Sequence, residues 1–473
     1  MMGLAVFKNF LASITRNGIS LLGTALAIAG LVLIVCLFVV ELLGYEGGPY
    51  LGILTYLVLP AIVIVGVVLI PVGNALHRRK LRRRPDGEAG LTLPVFDLND
   101  SATRRSMLSL FSVALVFIVI TSGATYKGIH YMETVEFCGL ACHSVMEPEH
   151  TAHARSPHSR VACAECHIGP GANWFVKSKL DGAWQLVSVT LDLYPRPVPT
   201  PLHDLRPARD TCEQCHWPTK FVGDKLRVIK HYEEDEENTE LTSAILLKVG
   251  GERANGSHGI HWHVDPEVSI RYRSDETREE IYEIQFAIGG GEVTTYGIRN
   301  APEDEGVWRE MDCVDCHNRP SHIYESPGPA VDNAIEDGLI DRSLPFVKRE
   351  SMRVIREEYE SHAVARAAID RELRSFYNQN YPEIASESAA LIDAAAKTLG
   401  DIYSVNVFPS MNVWWDVYPD HIGHEQSDGC LRCHKRSMRT ADREQVSNDC
   451  ETCHVVLAED EENPDILSVL TAE

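Results

Sequence analysis

Six short stretches of this chain set two cysteines beside a histidine at a spacing suited to one covalent chemistry. Five read Cys-x-x-Cys-His: Cys163/Cys166/His167, Cys212/Cys215/His216, Cys313/Cys316/His317, Cys430/Cys433/His434 and Cys450/Cys453/His454. The first copy is stretched by one residue, Cys138/Cys142/His143. Two thiols so placed can add to the two vinyl groups of a haem, and the adjacent histidine then lies beneath the iron as its proximal ligand. The motifs use twelve of the thirteen cysteines. A disulfide framework or zinc knuckles would not demand a histidine after every second cysteine, so six covalently bound haem c groups are expected.

Low-spin iron that carries electrons also needs a sixth ligand. Apart from the motif histidines and His77, thirteen histidines remain, and about five are needed. His158, five residues before Cys163, and His322, five after His317, are the first candidates. His261 or His263, His203, and His421 or His424 follow, and His362 lies on an expected helix among Ala and Val.

The elements that position these groups begin with a membrane anchor. Ile19 to Val40, Leu51 to Val72 and Met107 to Ala124 are apolar runs near the ~20 residues needed to cross a bilayer. Residues 2–16 have the apolar spacing of a short helix lying on the membrane face. Residues 1–125 are therefore expected to form an anchor of three transmembrane helices, about 19–43, 51–76 and 107–125. The link 77–106 carries eight Lys and Arg and the link 44–50 none, which places the N-terminus and the long link in the cytoplasm. Three crossings deliver the haem motifs to the periplasm. From Ala124 to Cys138 the chain spans ~20 Å if helical and ~45 Å if extended, so the first haem is tethered near the bilayer.

From Thr125 onward 34 basic and 61 acidic residues leave a balance of −27, which excludes nucleic acid as a partner. Residues 126–225 hold haems one to three. Residues 226–311 read as a β-rich insertion, with strands at Ser243–Val249, Val268–Arg273, Ile281–Ile288 and Val293–Ile298 between Gly, Asp and Glu turns. Residues 312–473 hold haems four to six, with a helical segment 343–399 of two helices broken near Tyr381-Pro382. The expected fold class is a membrane-anchored multihaem cytochrome c, with a mostly α and irregular haem-packed periplasmic domain carrying a small β insertion.

With "FCGLACHSVMEPEH" followed by "SPHSRVACAECH", and the first motif just after a membrane helix, the chain resembles the NapC/NirT/NrfH family of membrane-anchored quinol dehydrogenases. The likeness covers about residues 105–220 plus Met311 to His322. It implies oxidation of menaquinol or ubiquinol and delivery of electrons to a periplasmic cytochrome or reductase. It also implies Met146 as a ligand to the first haem, His158 as a distal ligand, and a quinol site near Lys177 and Lys179. Gln185 stands where some members carry an aspartate, which leaves Asp181 or a water to take protons. Three spans, a stretched first motif, the β insertion and two extra haems depart from the family pattern.

The leading reading is a quinol dehydrogenase and relay through six haems. Its partners are the membrane lipid, the quinol pool and a periplasmic acceptor, alone or within an oligomer or larger complex. The alternatives are a conduit or anchor subunit without its own quinol site, and a terminal multihaem reductase.

Overall fold

A computed structural model describes residues 17–42, 58–82, single positions between 99 and 127, 131–141, 143–169, 172–202, 205–250, 259–302 and 305–470. The helix expected over 2–16 and most of the third apolar run lie outside these residues. The chain divides into two units, Met1–Phe137 with Cys163–Trp184, and Cys138–Ala162 with Gln185–Glu473.

In the first unit, α1 (Gly18–Leu42) and α2 (Leu59–Arg82) are long and apolar enough to cross a membrane. Their apolar side chains mostly point away from protein: Ile28, Leu31, Val35, Ile64 and Val67 are exposed. Between two helices in lipid, close packing replaces the hydrophobic effect and small residues let the backbones approach. A Cβ at Gly23 would lie 2.6 Å from the Gly66 carbonyl oxygen, and the reverse holds for Gly66. Ser20 Oγ donates to the Ile70 carbonyl at 2.9 Å, a hydrogen bond across the pair.

The second unit has three cores. The largest is helical: α7 (Pro327–Glu336), α8 (Val347–Ile355), α9 (His362–Asn380), α10 (Pro382–Glu387) and α11 (Ala389–Asn406) enclose Val331, Val354, Ile369, Leu373, Leu399 and Tyr403, all fully buried. Pro382 opens α10 at the break expected there. The second break, at 356–361, was not expected; Ser361 caps α9 by accepting from the Val364 amide.

The β region forms two sheets. One has order β5-β4-β3-β6, from Thr294–Gly297, Ile281–Ile288, Val268–Ser274 and Val307–Glu310. The other has order β1-β2-β7, from Lys225–Tyr232, Glu240–Leu247 and His454–Glu461. The insertion is thus not self-contained. Its first hairpin is completed by a strand that follows the sixth motif directly, with Leu247 opposite His454. The third core gathers Val145, Phe408, Met411, Val413 and Tyr418 around α3 (His143–Arg155), the helix that follows the first motif.

Candidate haem-ligand site

Each described motif folds as one tight turn. The His216 amide, just beyond α6 (Ala208–Cys212), donates to Cys212 O at 2.8 Å, His317 to Cys313 O at 2.8 Å and His434 to Cys430 O at 3.0 Å, while Cys163–His167 is a single helical turn, α4. In the stretched first copy, Phe137–Ala141 forms a π-helical turn, which takes one more residue per hydrogen-bonded ring than an α-helix. Gly139 lies in that turn, where a side chain would collide with the His150 ring. Among the described cysteines none forms a disulfide.

The two thiols of a motif are alike in sequence but not in burial. In the second and third motifs Cys163 and Cys212 are half-buried, whereas Cys166 and Cys215, expected to bind haem on the same footing, are exposed. The histidines that follow these two, His167 and His216, are exposed as well. Protein packing therefore does not seat Cys166 and Cys215, and their assignment rests on the motif. In these two turns the first cysteine packs back on the chain while the second cysteine and the histidine project outward. A thiol that adds to a porphyrin vinyl group must meet the porphyrin rather than other side chains, so exposure at these positions is compatible with that role.

Four motif histidines each face a histidine from elsewhere in the chain. The ring centres of His158 and His216 lie 6.0 Å apart, His261 and His317 6.3 Å, His263 and His434 5.8 Å, and His424 and His454 6.1 Å. An imidazole nitrogen sits about 2 Å from a first-row metal and the ring centre roughly 1 Å behind it, so two rings sharing one iron have centres about 6 Å apart. Ordinary ring contacts cover the same distances. The discriminating fact is which nitrogen is free.

A ligand histidine commonly gives its Nδ1–H to a carbonyl or carboxylate and keeps Nε2 for the metal. His158 Nδ1 lies 3.0 Å from Pro320 O, His261 Nδ1 2.8 Å from Val249 O, and His263 Nδ1 2.7 Å from Ile260 O. His322 Nδ1 is likewise held, 3.1 Å from Glu149 O and 2.9 Å from Glu149 Oε2. Burial pushes the His263 and His317 imidazoles below their ordinary pKa, favouring the neutral form that a ligand requires.

Two expected candidates do not fit. His421 is buried, with Nε2 2.8 Å from Glu279 Oε1, and His362 has Nε2 2.6 Å from Val407 O at the start of α9. In both the nitrogen an iron needs is already engaged. His153, with Nε2 3.0 Å from Val161 O, is engaged in the same way. His261 and His263, expected as alternatives, both face motif histidines, because the turn Ile260–Val264 presents them to neighbouring motifs. His203, Cys142 and the His143 side chain lie outside the described residues.

The motifs form a series. Neighbouring motifs lie close enough for their thiols to influence one another, Cys212 with Cys313, Cys316 with Cys430 and Cys433, and Cys453 with Cys430. Buried donors without protein partners lie along it: Arg206 Nε and NH1, Thr211 Oγ1, Arg309 Nε and Arg319 NH2. Guanidinium nitrogens buried without an acceptor are costly, and the carboxylate of a haem propionate is a fitting partner. The donor set and these unsatisfied nitrogens both fit haem.

Lys177 and Asp181 stand one turn apart on α5 (Ala172–Thr190), with Lys177 Nζ 5.5 Å from the Trp174 ring centre and Asp181 exposed. The side chain of Lys179 lies outside the described residues. Met146 is half-buried on α3. Leu180 and Trp184, also on α5, are largely exposed.

Residues 101–194 match the NapC/NirT cytochrome c family, N-terminal region. The chain is 41% identical over 453 residues to cytochrome c-type protein ImcH of Geobacter sulfurreducens, covering 94% of this chain and 89% of that protein. It is 32% identical over 92 residues to cytochrome c-type protein TorC of Escherichia coli, covering 18% of this chain and 23% of TorC. No solved structure matches. With its N-terminal region fitting that family and a cytochrome relative matching nearly end to end, the chain belongs to the NapC/NirT family of membrane-anchored c-type cytochromes, whose cofactor is covalently bound haem c.

Proposed function

We propose that this protein oxidises a quinol in the cytoplasmic membrane, menaquinol in the first instance, and relays the electrons through six haems to a periplasmic cytochrome or reductase. The observation that carries the reading is the unbroken series from the third motif to the sixth, with each motif histidine facing a second histidine. Bound haem supplies one-electron exchange between ferrous and ferric iron. The chain's residues do the rest. The twelve motif cysteines would fix the groups, and His143, His167, His216, His317, His434 and His454 would each hold one iron. His158, His261, His263 and His424 would supply a second ligand to four of them, His322 to a fifth, and Met146 to the first.

At the quinol end, Lys177 or Lys179 orients a quinol oxygen and Asp181, or a water beside it, takes one proton at a time and passes it to periplasmic water as the two electrons leave one by one. Support comes from the position of Lys177 and Asp181 on one face of α5, beside exposed Leu180 and Trp184 that suit the membrane interface. Three spans, with the third over 107–125, and a cytoplasmic N-terminus place the haem domain in the periplasm.

The test is to mix purified full-length protein with a reduced menaquinol analogue and no other donor. Reduction of its haems is expected. Haems that dithionite reduces but the quinol does not would favour a conduit subunit fed by another protein.

A further inference from the structure

The geometry points to Glu149 as a residue that lowers the reduction potential of the haem ligated by His322, through a carboxylate set against the far nitrogen of that imidazole. The inference rests on the reading of His322 as an axial ligand. It goes beyond that reading because it singles out one haem of the relay.

His158, His261 and His263 each rest Nδ1 on a neutral backbone carbonyl. His322 differs, since its Nδ1 lies 2.9 Å from Glu149 Oε2 as well as 3.1 Å from the backbone oxygen of the same residue. The Nδ1–H bond itself is made to the backbone oxygen, and Oε2 sets its negative charge beside the ring without taking that proton. Ferric iron carries one more positive charge than ferrous iron, so the nearby negative charge favours the ferric state. The same electron is then harder to add.

The surroundings keep the effect large. The Glu149 and His322 side chains are 19% and 25% exposed, which limits screening by water. Arg319, 7% exposed, holds NH1 3.6 Å from Glu149 Oε1 and packs its guanidinium 4.0 Å from the Tyr418 ring centre. It favours the ionised carboxylate and partly offsets its charge. Glu149 sits on α3, so the helix leaving the first motif sets the electronics of a ligand supplied five residues after the fourth.

The experiment uses full-length, haem-loaded protein. In a spectroelectrochemical titration Glu149→Gln is expected to raise one haem midpoint by at least a tenfold change in its reduction equilibrium, about 59 mV for one electron. The low-spin signals should be unchanged, and Glu149→Asp, which keeps the charge, should return that midpoint toward the wild-type value. Midpoints that coincide in all three proteins, or an equal rise in the Asp variant, would overturn the inference. His322→Ala separates the two readings: loss of one low-spin haem upholds the ligand, and its retention removes the ligand reading whatever Glu149 does. If Glu149→Gln does not accumulate, Arg319→Gln carries the test. Stripping the countercharge should lower the same midpoint, and an unmoved one would overturn the tuning.

Discussion

At the scale of the residue, ligand and bystander histidines differ in which nitrogen the protein uses. His424 and His421 are three residues apart, yet His424 faces His454 at 6.1 Å and His421 Nε2 is bound to Glu279. His424→Ala is therefore expected to convert one haem from low to high spin, whereas His421→Ala leaves every haem low-spin; electron paramagnetic resonance of the oxidised protein distinguishes the outcomes. The six motifs were legible in the sequence because local spacing carries them, and spacing also proposes His158 and His322 as their ligands. The choice between His421 and His424 was not, since it depends on Glu279, 142 residues away. Nor could sequence show that His261 and His263 face different motif histidines, which follows from how one short turn lies between them. The unequal burial of Cys163 and Cys166, or of Cys212 and Cys215, was equally hidden, because it depends on which side of each turn meets the rest of the chain.

At the scale of the element, packing can be tested apart from the haems. Lys348 Nζ lies 2.5 Å from Asp332 Oδ1, joining α8 to α7, with both side chains at most 10% exposed. Burial pushes Asp332 up and Lys348 down in pKa even with the partner in place, so desolvation is not fully offset. Asp332→Ala leaves the ammonium unpaired and is expected to cost about 3–5 kcal/mol, measured by urea unfolding. Replacing both with apolar residues of similar volume should cost less than the single change. Tyr232 and Tyr359 are each pushed up to about 12, by burial first. Their contribution to stability is whole below the unfolded value of about 10 and is lost as pH rises toward 12. Far-ultraviolet circular dichroism should show loosening in that window, and less of it in Tyr359→Phe, which has no phenol to ionise. Alternation revealed the strand Ile281–Ile288. The partnership of β7 with β2 was not readable, because the two strands are about 200 residues apart and β7 carries an acidic run that reads as solvated surface.

At the scale of the whole molecule, composition already separates an apolar N-terminal region from an acidic haem-bearing remainder with a formal balance of −27. A field of that sign steers a basic acceptor toward the protein and is screened by salt. The bimolecular rate of electron transfer to a small basic cytochrome should fall steeply as ionic strength rises, while a rate that salt leaves unchanged would argue against electrostatic docking. The central claim is that five of the six irons are held between two imidazoles, four in the observed pairs and one through His322, with the first iron different. Near-infrared magnetic circular dichroism of the oxidised full-length protein, calibrated against total haem, counts such sites directly. The account predicts five bis-histidine haems and one of another kind; fewer than five bis-histidine haems would contradict it.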